Sequence, residues 1–213
     1  MRSRSPPRHA QRLPRMVAVA HPESTTTRST SPESASSRPL PAVTLRAPVA
    51  EDRDAFIAAM KSSAELHRPW VTPPVSAPEF DAWLTRSARA DFDANLATRV
   101  TDGAIVGYFN ISQIIRGPLQ SAFLGYGGVA EWSGAGYMTA ALDLVVERAF
   151  TDLSLHRLEA NVQPANAASI ALVERCGFVR EGFSEKYLKI GGHWRDHARF
   201  AIRSEQWEER WRS

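Results

Sequence analysis

Gly134 and Gly136, with Ala135 between them, stand at the junction of two runs of opposite character. Before them Ser121 to Val129 reads Ser-Ala-Phe-Leu-Gly-Tyr-Gly-Gly-Val, a strand-like stretch; after them Met138, Ala141, Leu142, Val145 and Ala149 fall at i, i+3, i+4, i+7 and i+11 and make one apolar helical stripe. A helix that begins on two glycines leaves its first backbone N–H groups bare at the positive end of its dipole. Such an end is an anion cradle. The string Glu131-Trp132-Ser133-Gly134-Ala135-Gly136-Tyr137-Met138 therefore demands a strand, a turn and a helix that packs back on the sheet, with a seat for a phosphate. A dinucleotide fingerprint would need a third glycine where Thr139 stands, and a nucleoside triphosphate loop would need Gly-Lys-Ser or Gly-Lys-Thr, which is absent. An ordinary tight strand-to-helix turn is the remaining reading of these residues alone.

The rest of the chain supplies a sheet for that unit. Strands are expected over 43–46, 97–100, 104–114 and 121–129, the last two joined by a loop holding Arg116-Gly117-Pro118. Helices are expected over 50–60, 62–67 and 79–90, the last with Phe80, Trp83 and Leu84 on one side, and Arg68-Pro69-Trp70-Val71-Thr72-Pro73-Pro74 is held extended by its prolines. From 134 the order becomes helix (134–150), strand (157–162), helix (167–175) and strand (178–190), with Gly177 stopping the second helix and Gly191-Gly192 turning the chain into a last strand over 194–202. A strand-helix-strand unit of this length pairs its strands in parallel. The expected class is α/β, in the α+β sense: a mixed sheet of six or seven strands with an antiparallel N-terminal part, a central parallel strand pair and flanking helices.

Charge divides the chain. Residues 1–40 hold seven arginines, no lysine and two glutamates, hence net +5; the whole chain is +3, so residues 41–213 are net −2. The basic character belongs to a Ser-, Pro- and Arg-rich segment that reads as a disordered tail, and no direct nucleic-acid binding is expected from the domain that follows over 41–213. Pro6, Pro7 and Pro14 interrupt the amphipathic helix that an organelle transit peptide would need, and Met16 offers a second start. No apolar run approaches membrane length, so no membrane partner is expected, and the lone Cys176 fits a reducing, cytoplasmic setting. His193 and His197 have a metal-pair spacing only on a helix, which is not expected there, so no metal is assigned.

The glycine string matches the Gly-x-Gly half of the (Arg/Gln)-x-x-Gly-x-(Gly/Ala) motif of GNAT acetyltransferases. Asn166-Ala-Ala-Ser169 with Glu174-Arg175-Cys176-Gly177-Phe178 resembles their second signature. Val106-Gly107-Tyr108-Phe109-Asn110, Ile115-Arg116-Gly117, Leu124-Gly125-Tyr126, Gly192-His193-Trp194-Arg195-Asp196-His197 and Arg68-Pro69-Trp70 sharpen the likeness to the Rim-type ribosomal-protein-alanine N-acetyltransferases, the RimJ branch in particular. The resemblance covers about residues 43 to 203. It implies acetyl-CoA as cosubstrate and a protein N-terminus, that of a ribosomal protein, as acceptor. Val129 would then pair its backbone with the pantetheine arm, the amides of Gly134, Ala135, Gly136, Tyr137 and Met138 would hold the pyrophosphate, and Asn166 would lie near the pantetheine while also suiting a helix N-cap. Ser169 would sit near the departing sulfur. Trp70, Asn110 and Tyr126 would wall the acceptor groove. Glu131 departs from the motif's Arg or Gln, a change of small effect if backbone amides do the gripping.

Two family roles are vacant. The tyrosine expected seven residues after the motif asparagine is Val173, and the glutamate that serves as base in a related Rim branch is Asn161. Glu159, two positions earlier and on the same strand face, could act as base through a water. An α-amine of pKa near 8 is about one-tenth neutral at pH 7, whereas a lysine amine near 10.4 is neutral about four times in ten thousand, a difference of about 3 kcal/mol. A site without an obvious carboxylate base thus suits an N-terminal amine. The residues leave open a small-molecule amine as acceptor, or a catalytically silent acyl-CoA-binding module.

Overall fold

The computed structural model describes residues 40–212. The tail read over residues 1–40 lies outside them except for Leu40. Seven strands form one sheet in the order β1-β2-β3-β4-β5-β7-β6, with β1 Val43–Arg46, β2 Phe92–Arg99, β3 Ile105–Ile115, β4 Ser121–Gly128, β5 Arg157–Val162, β6 Val179–Ile190 and β7 His193–Arg203. Every neighbouring pair is antiparallel except β4 and β5, the parallel pair that the strand-helix-strand order requires. Helices α1 Arg53–Ser62, α2 Ala64–His67 and α3 Ala77–Ser87 precede β2; α4 Tyr137–Thr151 links β4 to β5, α5 Ala167–Arg175 links β5 to β6, and α6 Ser204–Arg212 ends the described chain.

Each face of the sheet has its own core. Ala141, Leu142, Val145 and Ala149, all fully buried members of the expected stripe, press α4 onto Val106, Phe109, Ile111 and Leu158. On the opposite face Phe56 of α1 and Trp83 of α3 meet Tyr108 of β3, and Phe80 of α3 packs on Phe56 and Trp83, with ring centroids 5.0 to 6.1 Å apart. The close fit exposes one position to test. A methyl on Gly127, which lies opposite Tyr108, would come within 2.6 Å of that buried ring. Gly127→Ala is expected to cost about 2 kcal/mol and lower Tm by several degrees in a thermal melt, whereas Gly125→Ala, which meets nothing within 4 Å, should leave Tm in place.

Several boundaries differ from the expected ones. The strand expected over 97–100 starts at Phe92, because Asp93 and Asn95, which hide the pattern, are satisfied internally: Asn95 donates to Asp93 at 2.6 Å, and Arg148 of α4 pairs with Asp93 at 2.8 Å. The helix expected from 50 opens as a 3-10 turn over 50–52, where Asp52 accepts from the Val49 amide and is gripped by Arg46. The helix expected over 79–90 runs instead over 77–87, since Glu79 takes hydrogen bonds from the Ser76 hydroxyl and the Val75 amide at its start. The helix expected from 134 begins at Tyr137, after a 3-10 turn over 130–132 and the two glycines. α6 carries little apolar signal; Trp207 docks it on Phe150 with ring centroids 5.8 Å apart.

Candidate functional site

The parallel ladder between β4 and β5 is short. It joins Ser121–Leu124 to Arg157–Ala160 and stops, although β4 runs on to Gly128 and β5 to Val162. Past Leu124 and Ala160 the two strands part, and their facing backbone edges are left for something other than each other. The mouth of this cleft leads to the glycine turn on one side and to the start of α5 on the other.

Along β4 the direction of each peptide alternates. The Val129 amide donates to the Val106 carbonyl at 2.9 Å and its carbonyl accepts from the Trp132 amide at 3.1 Å, so both of its backbone groups already have partners within the chain. This corrects the expectation for Val129: alternation turns Tyr126 and Gly128, not Val129, toward the cleft. His67 Nε2 donates to the Gly128 carbonyl at 2.8 Å, which fixes the proton on that nitrogen; burial lowers the ring's pKa and keeps it neutral. Ser63 Oγ accepts from the Ala130 amide at 2.9 Å. Sequence reasoning missed both residues, because nothing local marks a side chain whose partner lies over 60 residues away.

The turn itself is built on backbone geometry. Gly134 and Gly136 have φ of +74° and +88°, a region that favours glycine, and Gly136 is the N-cap of α4. Among the described residues the amides of Gly134, Gly136, Tyr137 and Met138 meet no partner, and the first turn of α4 holds no acidic residue. The Ala135 amide is the exception to the expected set: it donates to the Trp132 carbonyl at 3.3 Å and so braces the turn. Met138 offers only its amide, as its side chain packs over Gly107 and Gly128. Arg99 lies 4.0 Å over the Trp132 ring and Trp132 meets Tyr137 edge-on at 5.9 Å, a stack that stiffens the turn from outside. Glu131 is exposed. Four unpartnered amides at a helix start suit a diphosphate.

Across the cleft, the Asn166 side chain accepts from the Ser169 amide at 3.1 Å and caps α5 as expected. Ser169, in the first turn of that helix, shares a hydrogen bond of 2.5 Å with the Tyr126 hydroxyl. The Tyr126 ring packs on Phe109 with centroids 5.7 Å apart, and burial pushes its pKa up to about 12. Two residues expected in different roles, one at the sulfur and one in the groove wall, thus form a single unit. Tyr126, Trp70 and Asn110 come together around one open cavity of about 310 Å³, which Lys189 and Gly191 at the β6–β7 turn also line. Gln163 at the end of β5 holds the Trp70 loop by donating to the carbonyls of Trp70 and Pro69 at 3.2 and 3.3 Å.

Glu159 and Asn161 share one face of β5 as expected, but neither lines that cavity. Glu159 is held by Arg157 at 2.9 Å and Arg199 at 3.3 Å, so its carboxylate is committed to a structural ion-pair cluster. Asn161 sits opposite Arg199, and its buried Oδ1 has no hydrogen-bond partner among the described residues.

A family profile described as an acetyltransferase (GNAT) domain matches residues 42–179. The probable N-acetyltransferase YjcK of Bacillus subtilis is 46% identical over 102 residues, 48% of this chain and 56% of that protein. The [ribosomal protein uS5]-alanine N-acetyltransferase of Escherichia coli is 37% identical over 103 residues, 48% of this chain and 53% of that protein. The matched stretch thus spans about half the length of these curated relatives. Among solved structures, Mycobacterium smegmatis RimJ in complex with CoA-disulfide is similar with a TM-score of 0.71 and 30% identity, covering 77% of this chain and 83% of that one. With a strand cleft beside a glycine-built helix start, and with the family profile matching more than half of its length, the chain belongs to the GNAT acetyltransferases.

Proposed function

We propose that the protein transfers the acetyl group of acetyl-CoA to the N-terminal α-amine of a protein, a ribosomal protein being the favoured acceptor. The observation that carries this reading is the cleft beyond Leu124 and Ala160, which has unpartnered amides at one end and the Tyr126–Ser169 pair beside an acceptor cavity at the other. The amides of Gly134, Gly136, Tyr137 and Met138 would hold the diphosphate, and the backbone of Tyr126 together with the amide of Gly128, whose carbonyl His67 holds, would meet the pantetheine arm. The coenzyme supplies an acetyl group already activated as a thioester. The Tyr126 hydroxyl keeps its proton at neutral pH and lies against the first turn of α5, where Ser169 orients it, so we assign it as the proton donor. Asn110 and Trp70 position the acceptor. Among the described residues no carboxylate lines the cavity, so the amine has to arrive neutral, which favours an α-amine over lysine.

The cavity wall also bears on the choice between peptides and small amines. Among the described residues Lys189 is the charged group lining it, and no acidic residue does. A polyamine would bring positive charge toward positive charge, so a protein N-terminus is the better fit. A silent binding module would have no use for a tyrosine and serine hydrogen-bonded at the cleft.

The test has two parts. Calorimetry should detect acetyl-CoA binding, and Gly136→Val should weaken it by about tenfold, since a β-branched residue at φ +88° strains the turn and its Cβ would lie 3.2 Å from Pro41. A thiol-release assay should then show turnover with peptides bearing a free N-terminus. Absence of any heat with acetyl-CoA, or coenzyme binding without turnover on any amine, would overturn the proposal.

A further inference from the structure

We propose that the acceptor site reads an acidic side chain at the third or fourth residue of its peptide, with Arg86 as the recognising group; this rests on the protein N-terminus being the acceptor. The cavity beside Tyr126 shares Thr72, Tyr108 and Asn110 with a second cavity of about 300 Å³ that ends on Trp83, Arg86 and Phe92. The two make one groove running from the acetyl-transfer cleft to the exposed side of α3.

Arg86 is the cation at the far end. Its guanidinium lies 4.2 Å over the Phe92 ring. Stacking uses the flat face of the group and leaves its in-plane N–H donors directed outward, the geometry that grips a carboxylate. No ion pair holds Arg86 among the described residues, and neighbouring Asp91 is already bound in a two-pronged pair with Arg89 at 2.8 and 2.9 Å. Among the described residues no acidic side chain lines either cavity. At the shared wall the Trp83 indole N–H donates to Asn110 Oδ1 at 2.9 Å. Because an indole can only donate, that bond fixes the amide's orientation and leaves the Asn110 NH₂ group as a donor for a peptide carbonyl.

Register gives the span. Tyr126 lies opposite Phe109, and Phe92 lies opposite Ser112, so the path crosses two strand spacings and three residues of rise. That is about 14 Å, which an extended peptide covers in about four residues, and the reach of the two side chains shortens it to three.

The experiment is a positional scan. Peptides of equal length with a free, identical first residue carry Asp, Ala or Lys at positions two to six, and kcat/KM is measured with the full chain and acetyl-CoA. Asp at position three or four should raise kcat/KM over Ala by about fivefold, through KM, and the gain should fade in about 0.5 M salt because the pair is partly exposed. Arg86→Glu should invert the order, so that Lys at that position outperforms Asp. A flat scan with good turnover, or an unchanged preference in Arg86→Glu, overturns this inference and leaves the acceptor class standing. Coenzyme binding without turnover of any peptide overturns the acceptor class and this inference with it.

Discussion

Replacing Tyr126 by phenylalanine should lower kcat by about a hundredfold and leave acetyl-CoA affinity nearly unchanged, the range for loss of a positioned proton donor. The substitution removes one oxygen. The ring keeps its packing on Phe109, so Tm should hold, and the loss falls on the hydrogen bond to Ser169. Ser169→Ala should cost less, about tenfold, since Tyr126 keeps its hydroxyl and loses only its orienting partner. The double variant should resemble Tyr126→Phe alone rather than the product of the two, because both hydroxyls take part in one hydrogen bond. With its pKa pushed up to about 12, the phenol stays protonated through the working range, so it should impose no falling limb on the pH profile below about pH 11. A Tyr126→Phe enzyme that turned over at the original rate would show that the proton reaches the sulfur by another route.

The sequence carries the site unevenly, for physical reasons. The glycine turn, α5 with its Asn166 cap and the parallel strand pair are legible because each depends on neighbours a few residues apart: positive φ at Gly136, a side chain three residues from the amide it caps, a helix between two strands. The end of the parallel ladder at Leu124 and Ala160 is not legible, since it depends on where two strands 36 residues apart stop touching. The same holds for the Tyr126–Ser169 pair, for His67 on Gly128, and for Gln163 holding the Trp70 loop. Trp70, Asn110 and Tyr126 could be named one by one; that they share a cavity is a property of the sheet. The two misassigned backbone groups, at Val129 and Ala135, fail for a related reason. Ala135 spends its amide inside the turn, on Trp132, while Val129 gives its amide to Val106 of β3 and its carbonyl to Trp132, and a motif marks a loop without counting which of its backbone groups are already spent. Glu159 looked free because Arg199, one of the two arginines that hold it, comes from β7, 40 residues on; Arg157, two positions before it on the same face of β5, was in view and went unweighed.

A peptide carrying both a free N-terminus and an internal lysine should be acetylated at the α-amine more than a hundred times faster than at the lysine at pH 7. The ratio of neutral fractions, about one-tenth against four in ten thousand, is near 250. Among the described residues the cavity walls hold nothing to offset it: Lys189 and Arg86 are the charged residues there, Glu159 is committed to its arginines, and the related glutamate position is Asn161. The two cations act in the same direction, since positive surroundings lower the pKa of a bound amine and favour its neutral form. kcat/KM for the α-amine should therefore climb about tenfold per pH unit up to the amine's own pKa near 8 and then level off. Lysine acetylation should keep climbing toward pH 10, so the preference narrows as pH rises. Mass spectrometry of products from one peptide at pH 7, 8.5 and 10 reads both trends at once. Equal rates at the two nitrogens at pH 7 would require a base that the described cavity walls do not contain, and the assignment of the neutral α-amine as nucleophile would fall.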